Sequence, residues 1–309
     1  MGDDPFLAEA PLHHSSPGDD GSGLVISMLP SLTEAERCHV SEDLPWVPAG
    51  IDTSIPNVAR VYDYLLGGGH NFEADRQLAE VFDREIMPGA REIVRLSRAF
   101  LHRAVDFLVD SGIRQFLDLG SGIPTVGNVH EIAEQATSES RVVYVDKDPL
   151  AVAHSRLMLQ GNDRATAIQA DLCDVDDILG HPETRRLLDF DEPIALLTLM
   201  VWHFVPETAH PKDVLARYRA AVVPGSFLAI SHFTLDAGEP GRVVEEFEAR
   251  SRDHVYPRSY DQLLDLLEGF ELVDPGLVAC AAWRPRGPGD ISDDPLVNGR
   301  VYGAVCRKP

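Results

Sequence analysis

The chain has 309 residues and carries 50 Asp and Glu against 27 Lys and Arg, a formal charge of −23. That balance excludes bare nucleic-acid phosphates, which need basic stripes, and anionic membrane surfaces, while leaving a nucleobase or nucleoside ligand open. The 44% hydrophobic share is ordinary for a globular α/β protein, and the four cysteines, Cys38, Cys173, Cys280 and Cys306, form no CxxC pair, so neither a zinc site nor a disulfide framework is read.

Residues 1–50 are rich in Asp, Pro, Ser and Gly and lack periodicity, apart from a brief apolar run at Leu24–Leu29; they are expected to be loosely attached. His13-His14 reads as a solvated pair rather than a metal site. No basic residue precedes Arg37, so a secretory leader is not expected, and free thiols fit a cytoplasmic location. Residues 51–112 read as a helical cap. Val58, Val61, Tyr62, Leu65 and Leu66 recur at helical spacing until Gly67-Gly68-Gly69, which reads as a mobile break in a lid. A second helix is predicted over Glu73–Arg84, and a third over Arg91–Val109 with Ile93, Leu96, Phe100, Leu101, Ala104 and Leu108 on one face.

From residue 113 to 309 the period changes. Strands over Gln115–Leu119, Arg141–Val145, Ala165–Gln169, Ile194–Val201 and Ser226–Phe233 alternate with helices over Asn128–Gln135, Pro149–Leu159, Val175–Leu179 and Pro211–Ala221. Alternation of this kind predicts a mostly parallel sheet with right-handed crossovers. Phe270–Val273 with Val278–Trp283, then Arg300–Cys306, read as two late strands forming an antiparallel finish. The longest largely apolar run, Ile194–Trp202, is about half of the ~20 residues a membrane helix needs.

The chemistry concentrates at strand ends. Asp118-Leu119-Gly120-Ser121-Gly122 is a buried strand ending in an acid and a glycine turn, where the backbone can approach a ligand closely. Position 125, where a dinucleotide fingerprint wants its third Gly, is Thr. A pyrophosphate needs that glycine, and S-adenosylmethionine, which has no phosphate, does not. Asp146 follows Val142-Val143-Tyr144-Val145 and can accept from both ribose hydroxyls, whereas Asp148 before Pro149 reads as a helix N-cap. Asp171 can accept from an adenine amino group while the Leu172 N–H donates to a ring nitrogen; a turn-forming Asp is the alternative. His203 and His232 end two later strands and are candidate bases, since histidine is the usual base near neutral pH. Arg60 either clamps a carboxylate or pairs with Asp63 one turn on; Tyr62 and Tyr64 crowd the glycine break, and Arg60 and Tyr62 are expected among the cofactor-binding residues.

These strings resemble the S-adenosyl methyltransferase family found mainly in actinobacteria, over roughly Ile55 to the C-terminus. The resemblance rests on Pro56-Asn57-Val58-Ala59-Arg60-Val61-Tyr62-Asp63-Tyr64-Leu65-Leu66-Gly67-Gly68, Asn71-Phe72, Arg98-Ala99-Phe100-Leu101, Asp118-Leu119-Gly120-Ser121-Gly122-Ile123-Pro124-Thr125, Val143-Tyr144-Val145-Asp146, His203-Phe204-Val205-Pro206 and Ser231-His232. Gly69 stands where the family often has Lys, and Ser97 where Asn is common. The resemblance implies a Rossmann-like seven-stranded sheet with S-adenosyl-L-methionine at the Asp118 turn. Asp118 and Gly120 would face its methionine end, Asp146 the ribose and Asp171 the adenine, under a helical cap over Pro56–Phe72. The expected function is methyl transfer to a small molecule, set against a catalytically silent cofactor-binding regulator. An NAD-dependent oxidoreductase is disfavoured by Thr125 and the early helices.

Overall fold

The computed structural model describes residues 48, 51–125, 127–234, 236, 237 and 239–309. The expectations for residues 1–50, with Leu24–Leu29 and His13-His14, lie outside the described residues apart from Pro48.

Three helices lead: α1 (Val58–Leu65), α2 (Glu73–Val81) and α3 (Ala90–Asp110). Then come β1 (Gln115–Leu119), α4 (Val129–Ala136), β2 (Arg141–Asp146), α5 (Pro149–Met158), β3 (Ala165–Gln169), α6 (Val175–Gly180), α7 (Pro182–Leu187), β4 (Ala195–Leu199), α8 (Pro211–Ala221) and β5 (Phe227–Phe233). The chain finishes with α9 (Pro240–Glu248), α10 (Tyr260–Leu266), β6 (Glu271–Leu272), β7 (Val278–Ala279), α11 (Pro295–Gly299) and β8 (Val301–Arg307). Among the described residues the strands form one sheet in the order β3-β2-β1-β4-β5-β8-β6, with β7 also on β8. β1 to β5 pair in parallel, and β8 runs antiparallel to β5, β6 and β7. Of the seven strands implied by the family, the sixth is thus broken into two short pieces on one partner, because Pro275 interrupts the ladder and Gly276 bends the chain at φ +92°.

Strand pleating sorts the core. Phe116, Val142, Tyr144 and Leu197 face one side, where α1, α2, α3 and α9 contribute Val61, Leu78, Phe100 and Phe247. Leu117, Val143, Val145 and Leu196 face the other, against Ile178, Leu215, Tyr218 and Leu263 of α6, α8 and α10. Helices on both faces explain why strands such as β1 are buried at every position. Buried Arg103 of α3 donates to the Trp283 and Cys280 carbonyls and pairs with Asp290 at 2.7 Å, fixing the helix to the C-terminal loops. Among the described residues, no helix is long and apolar enough to cross a membrane.

Two boundaries and one stretch of helix differ from what the sequence predicts. α2 stops at Val81 and passes into a π-helical turn over Phe82–Ile86. β4 stops at Leu199, since Met200 takes φ +53°, so His203 lies on a 3-10 turn over Trp202–Phe204 rather than at the strand end. The sequence reading assigns no helix to residues 234–269, where α9 and α10 form.

Candidate functional site

The order of strands reverses direction between β1 and β4, and ligands of such sheets sit outside the carboxyl ends at that point. A cavity of about 710 Å³ opens there. One arm is lined by Asp118, Gly120, Ser121, Gly122, Asp146, Asp171 and Leu172, all of them residues expected from the sequence to hold a cofactor. The other arm runs under α1, α3 and α9.

The first arm is built from local sequence. Gly120 (φ +77°) and Gly122 (φ +65°) adopt left-handed backbone that only glycine takes readily. A Cβ at Gly120 would fall 2.3 Å from the Val201 side chain, whereas one at Gly122 would meet nothing within 4 Å. The Gly120 and Ser121 N–H groups donate to the Val145 carbonyl at 2.8 and 3.0 Å, locking the turn to β2. Asp146 accepts from the Gly122 N–H at 2.7 Å and from the Asp148 N–H at 2.9 Å, one bond per carboxylate oxygen, which aims the group and leaves lone pairs over. Asp148 caps α5 by accepting from Leu150 and Ala151, as its position before Pro149 predicts. Asp171 is exposed and accepts from the Cys173 N–H at 2.9 Å, so it shapes its turn as well as lining the cavity.

Asp118 is buried, at 8% exposure, and burial pushes its carboxyl up to about 7; nearby Arg98 pulls it down and Asp146 pushes it further up. Arg98, on α3, lines the cavity and donates to the Gly127 carbonyl at 2.7 Å. Sequence reasoning assigned it no role, although it stands in the Arg98-Ala99-Phe100-Leu101 string.

Two expected site residues are placed elsewhere. From the sequence, Arg60 is expected to clamp the cofactor or to pair with Asp63. It is buried and pairs with Asp75 of α2 at 3.0 Å, donates to the Ile55 carbonyl and lies over the Phe72 ring. It holds α1 to α2 and does not line the cavity, because its guanidinium is taken up by Asp75 and the Ile55 carbonyl. His232, read as a candidate base, lies behind the cavity wall at 1% exposure. Its Nδ1 is 2.6 Å from the Phe233 carbonyl and its Nε2 is 3.0 Å from the Arg258 guanidinium, so both ring nitrogens are engaged with protein. β5 alternates faces, and Phe233, not His232, reaches the cavity.

His203 and Tyr62 do line the cavity. Burial, helped by the Arg258 guanidinium, holds His203 at about 3, so its ring is neutral at pH 7. The Phe233 N–H points at its Nδ1 from 3.5 Å. Arg258, itself buried, donates to the Trp202 and Val205 carbonyls at 2.8 and 2.9 Å and fixes the turn that carries His203. Tyr62 hydrogen-bonds Ser97, and burial raises its phenol above the ordinary value. The glycine break beyond α1 is tethered: Asp63 accepts from the His70 N–H at 2.9 Å and from the Asn71 amide at 2.8 Å.

A parallel β3-β2-β1-β4-β5 sheet finished by an antiparallel strand, with a glycine turn and acids at the ends of β1 and β2, is the Rossmann-like fold of class I methyltransferases. The chain belongs to the S-adenosyl methyltransferase family, whose model matches residues 45–309. It is similar to a DUF574 family protein from Streptomyces avermitilis, 37% identical over 84% of this chain and 99% of that one, with a TM-score of 0.79. A protein from Thermobifida fusca is 38% identical over 85% of this chain and 98% of its own, also with a TM-score of 0.79. None of the curated proteins compared matches.

The family's cofactor is S-adenosyl-L-methionine, and the acid-lined arm fits it. A dinucleotide's pyrophosphate would be brought among Asp118, Asp146 and Asp171, whereas a cationic, phosphate-free adenosyl amino acid is matched by them.

Proposed function

We propose that the chain methylates a small organic molecule, in the cytoplasm, using S-adenosyl-L-methionine held in the acid-lined arm. The observation that carries this reading is the continuity of the cavity: the arm with Asp118, Asp146 and Asp171 opens directly into the arm with Val61, Tyr62 and Phe247. When bound, the cofactor supplies an electrophilic methyl group on a sulfonium sulfur.

The protein's share is binding, alignment and exclusion of water. In this reading Asp146 accepts both ribose hydroxyls, while Asp171 and the Leu172 N–H hold the adenine edge. Gly120, Ser121 and Gly122 let the backbone approach, and Asp118 pairs with the methionine ammonium. Arg98, the cation closest to that end, faces the methionine carboxylate. Asp118 then has to be ionised, which an ammonium beside it favours. His203 faces the acceptor as a neutral ring. Held at about 3, it is a weak base and serves to orient the acceptor by hydrogen bonding rather than to store its proton. Tyr62, kept protonated, is a second hydrogen-bond donor there.

Calorimetry tests the class. S-adenosylhomocysteine should bind in the micromolar range and NAD barely at all; tighter NAD binding sinks the reading. Mass spectrometry of small-molecule extracts incubated with the chain and methyl-deuterated cofactor then reports transfer as a labelled product.

A further inference from the structure

The second arm of the cavity has a composition of its own. α1 turns Val58, Val61 and Leu65 toward it, and α3 turns Ile93, Val94 and Leu101, each set at helical spacing. Phe82 stands on the π-helical turn, a distortion that recurs at functional sites, and meets Phe247 of α9 edge-on at 5.8 Å. These helices thus spend apolar faces on a cavity wall rather than only on one another.

Charge is sparse along this arm. Asp253 lines it but accepts from the Val58 N–H at 3.1 Å, and Asn57 is committed to capping α1. Arg252 and His254 line it too, but both are exposed and so stand at the solvent end. Arg98 stands on the same face of α3, between Val94 and Leu101, where its charge acts on both Asp118 and Tyr62 and its guanidinium donates to the Gly127 carbonyl. A charged acceptor body would lose its water here and gain no unclaimed counter-charge. Aromatic rings are concentrated instead. In a chain only 7% aromatic, Tyr62, Phe82, Phe204, Phe233, Phe247 and Tyr256 all line this one cavity. Such rings favour offset or edge-on contact with another flat ring.

Resting on the methyl-transfer reading, we propose that the acceptor is a neutral aromatic molecule. Its ring system lies between α1, α3 and α9, and its oxygen or nitrogen is presented beside Tyr62 and His203. The polar groups at that junction, a protonated phenol and a neutral imidazole, suit an uncharged hydroxyl or ring nitrogen. The methyl bond to the sulfonium sulfur breaks as the bond to that oxygen or nitrogen forms, S-adenosylhomocysteine leaves as a neutral thioether, and a hydroxyl's proton passes to water at the solvent end marked by Arg252 and His254. In this reading Arg98 is taken by the methionine carboxylate and Asp118 by the ammonium, so an anionic or cationic head finds no unclaimed partner there.

The test uses the full chain saturated with S-adenosylhomocysteine and titrated with naphthol, naphthyl phosphate and decanol. Naphthol should bind about tenfold or more tightly than either of the others, since a fitted apolar pocket rewards shape and penalises unpaired charge. Val94→Trp and Val58→Phe fill the arm from two helices; each should weaken naphthol about tenfold or more while S-adenosylhomocysteine binds within about twofold of wild type. That unchanged binding also certifies that the variants are folded. The proposal is overturned if naphthol fails to bind, if naphthyl phosphate or decanol binds as well, or if neither filled variant weakens naphthol. Failure of S-adenosylhomocysteine to bind the wild-type chain is a different result, and overturns the cofactor reading beneath.

Discussion

Replacing Asp118 with Asn should stabilise the cofactor-free chain at neutral pH while weakening its hold on the cofactor. The carboxyl ordinarily titrates at 3.8 and is pushed up to about 7, first of all by burial. The unfolded chain releases this proton near the ordinary value and the folded chain only near 7. Between those values the folded state binds more protons, so stability falls as pH rises and the loss is complete above about 7. At ~1.4 kcal/mol per pH unit the whole interval amounts to roughly 4 kcal/mol. Asn keeps the shape and has no proton to lose. The variant's advantage should therefore be near zero at pH 4 and approach that figure at pH 8, a rise in Tm on the order of 10 °C for a chain of this size. Urea unfolding of both proteins at pH 4, 6 and 8, without cofactor, measures it. The same Asn should weaken S-adenosylhomocysteine by roughly 1.5–3 kcal/mol, the worth of a hydrogen bond to a charged group. An Asn variant that is no more stable at pH 8, or whose advantage is the same at every pH, refutes the reasoning.

The ribose assignment separates two neighbouring acids: Asp146→Ala should weaken S-adenosylhomocysteine by roughly 1.5–3 kcal/mol, and Asp148→Ala should cost ~1 kcal/mol of stability through the lost α5 cap. Calorimetry showing the reverse pattern would mean the two acids have been exchanged. His203 and His232 are both depressed by burial, His203 to about 3. The unfolded chain takes these protons near pH 6.5 and the folded chain does not, so each histidine removes ~1.4 kcal/mol per pH unit as pH falls below that value. In the Asp118→Asn background, which removes the larger opposing trend and leaves only the smaller one from buried Asp146, the urea midpoint should drop between pH 7 and pH 5; an unchanged midpoint contradicts it. Gly68→Ala places a Cβ 2.0 Å from the Asp63 carboxylate and should cost ~1–3 kcal/mol in a thermal melt. Gly69→Ala, with nothing within 4 Å of its Cβ, is the matched control, and equal losses would show that the Asp63 tether is not what Gly68 protects.

The parallel sheet and most of one arm of the site were legible from local sequence. A buried apolar run ending in Asp118 and Gly120, or in Asp146, carries its own strand, its turn and its place at a carboxyl edge, because pleating and glycine stereochemistry act over a few residues. The capping role of Asp148 was legible for the same reason. What the sequence could not settle was which partner a side chain meets after the chain folds back on itself. Arg60 and Asp75 lie on different helices, and their pairing depends on how α1 and α2 cross. His203 and His232 looked equivalent as strand-end histidines. The left-handed Met200 breaks β4 early and turns His203 to the cavity, while the alternation of β5 sends Phe233 inward and leaves His232 to Arg258. The acceptor arm was the least legible part, although Val243 and Phe247 are four residues apart after Pro240. Its wall is assembled from α1 and α3 and from α9, which more than a hundred residues of sheet separate from α3. An apolar face at helical spacing is written the same way whether it meets another helix or a ligand, and only tertiary packing decides between them.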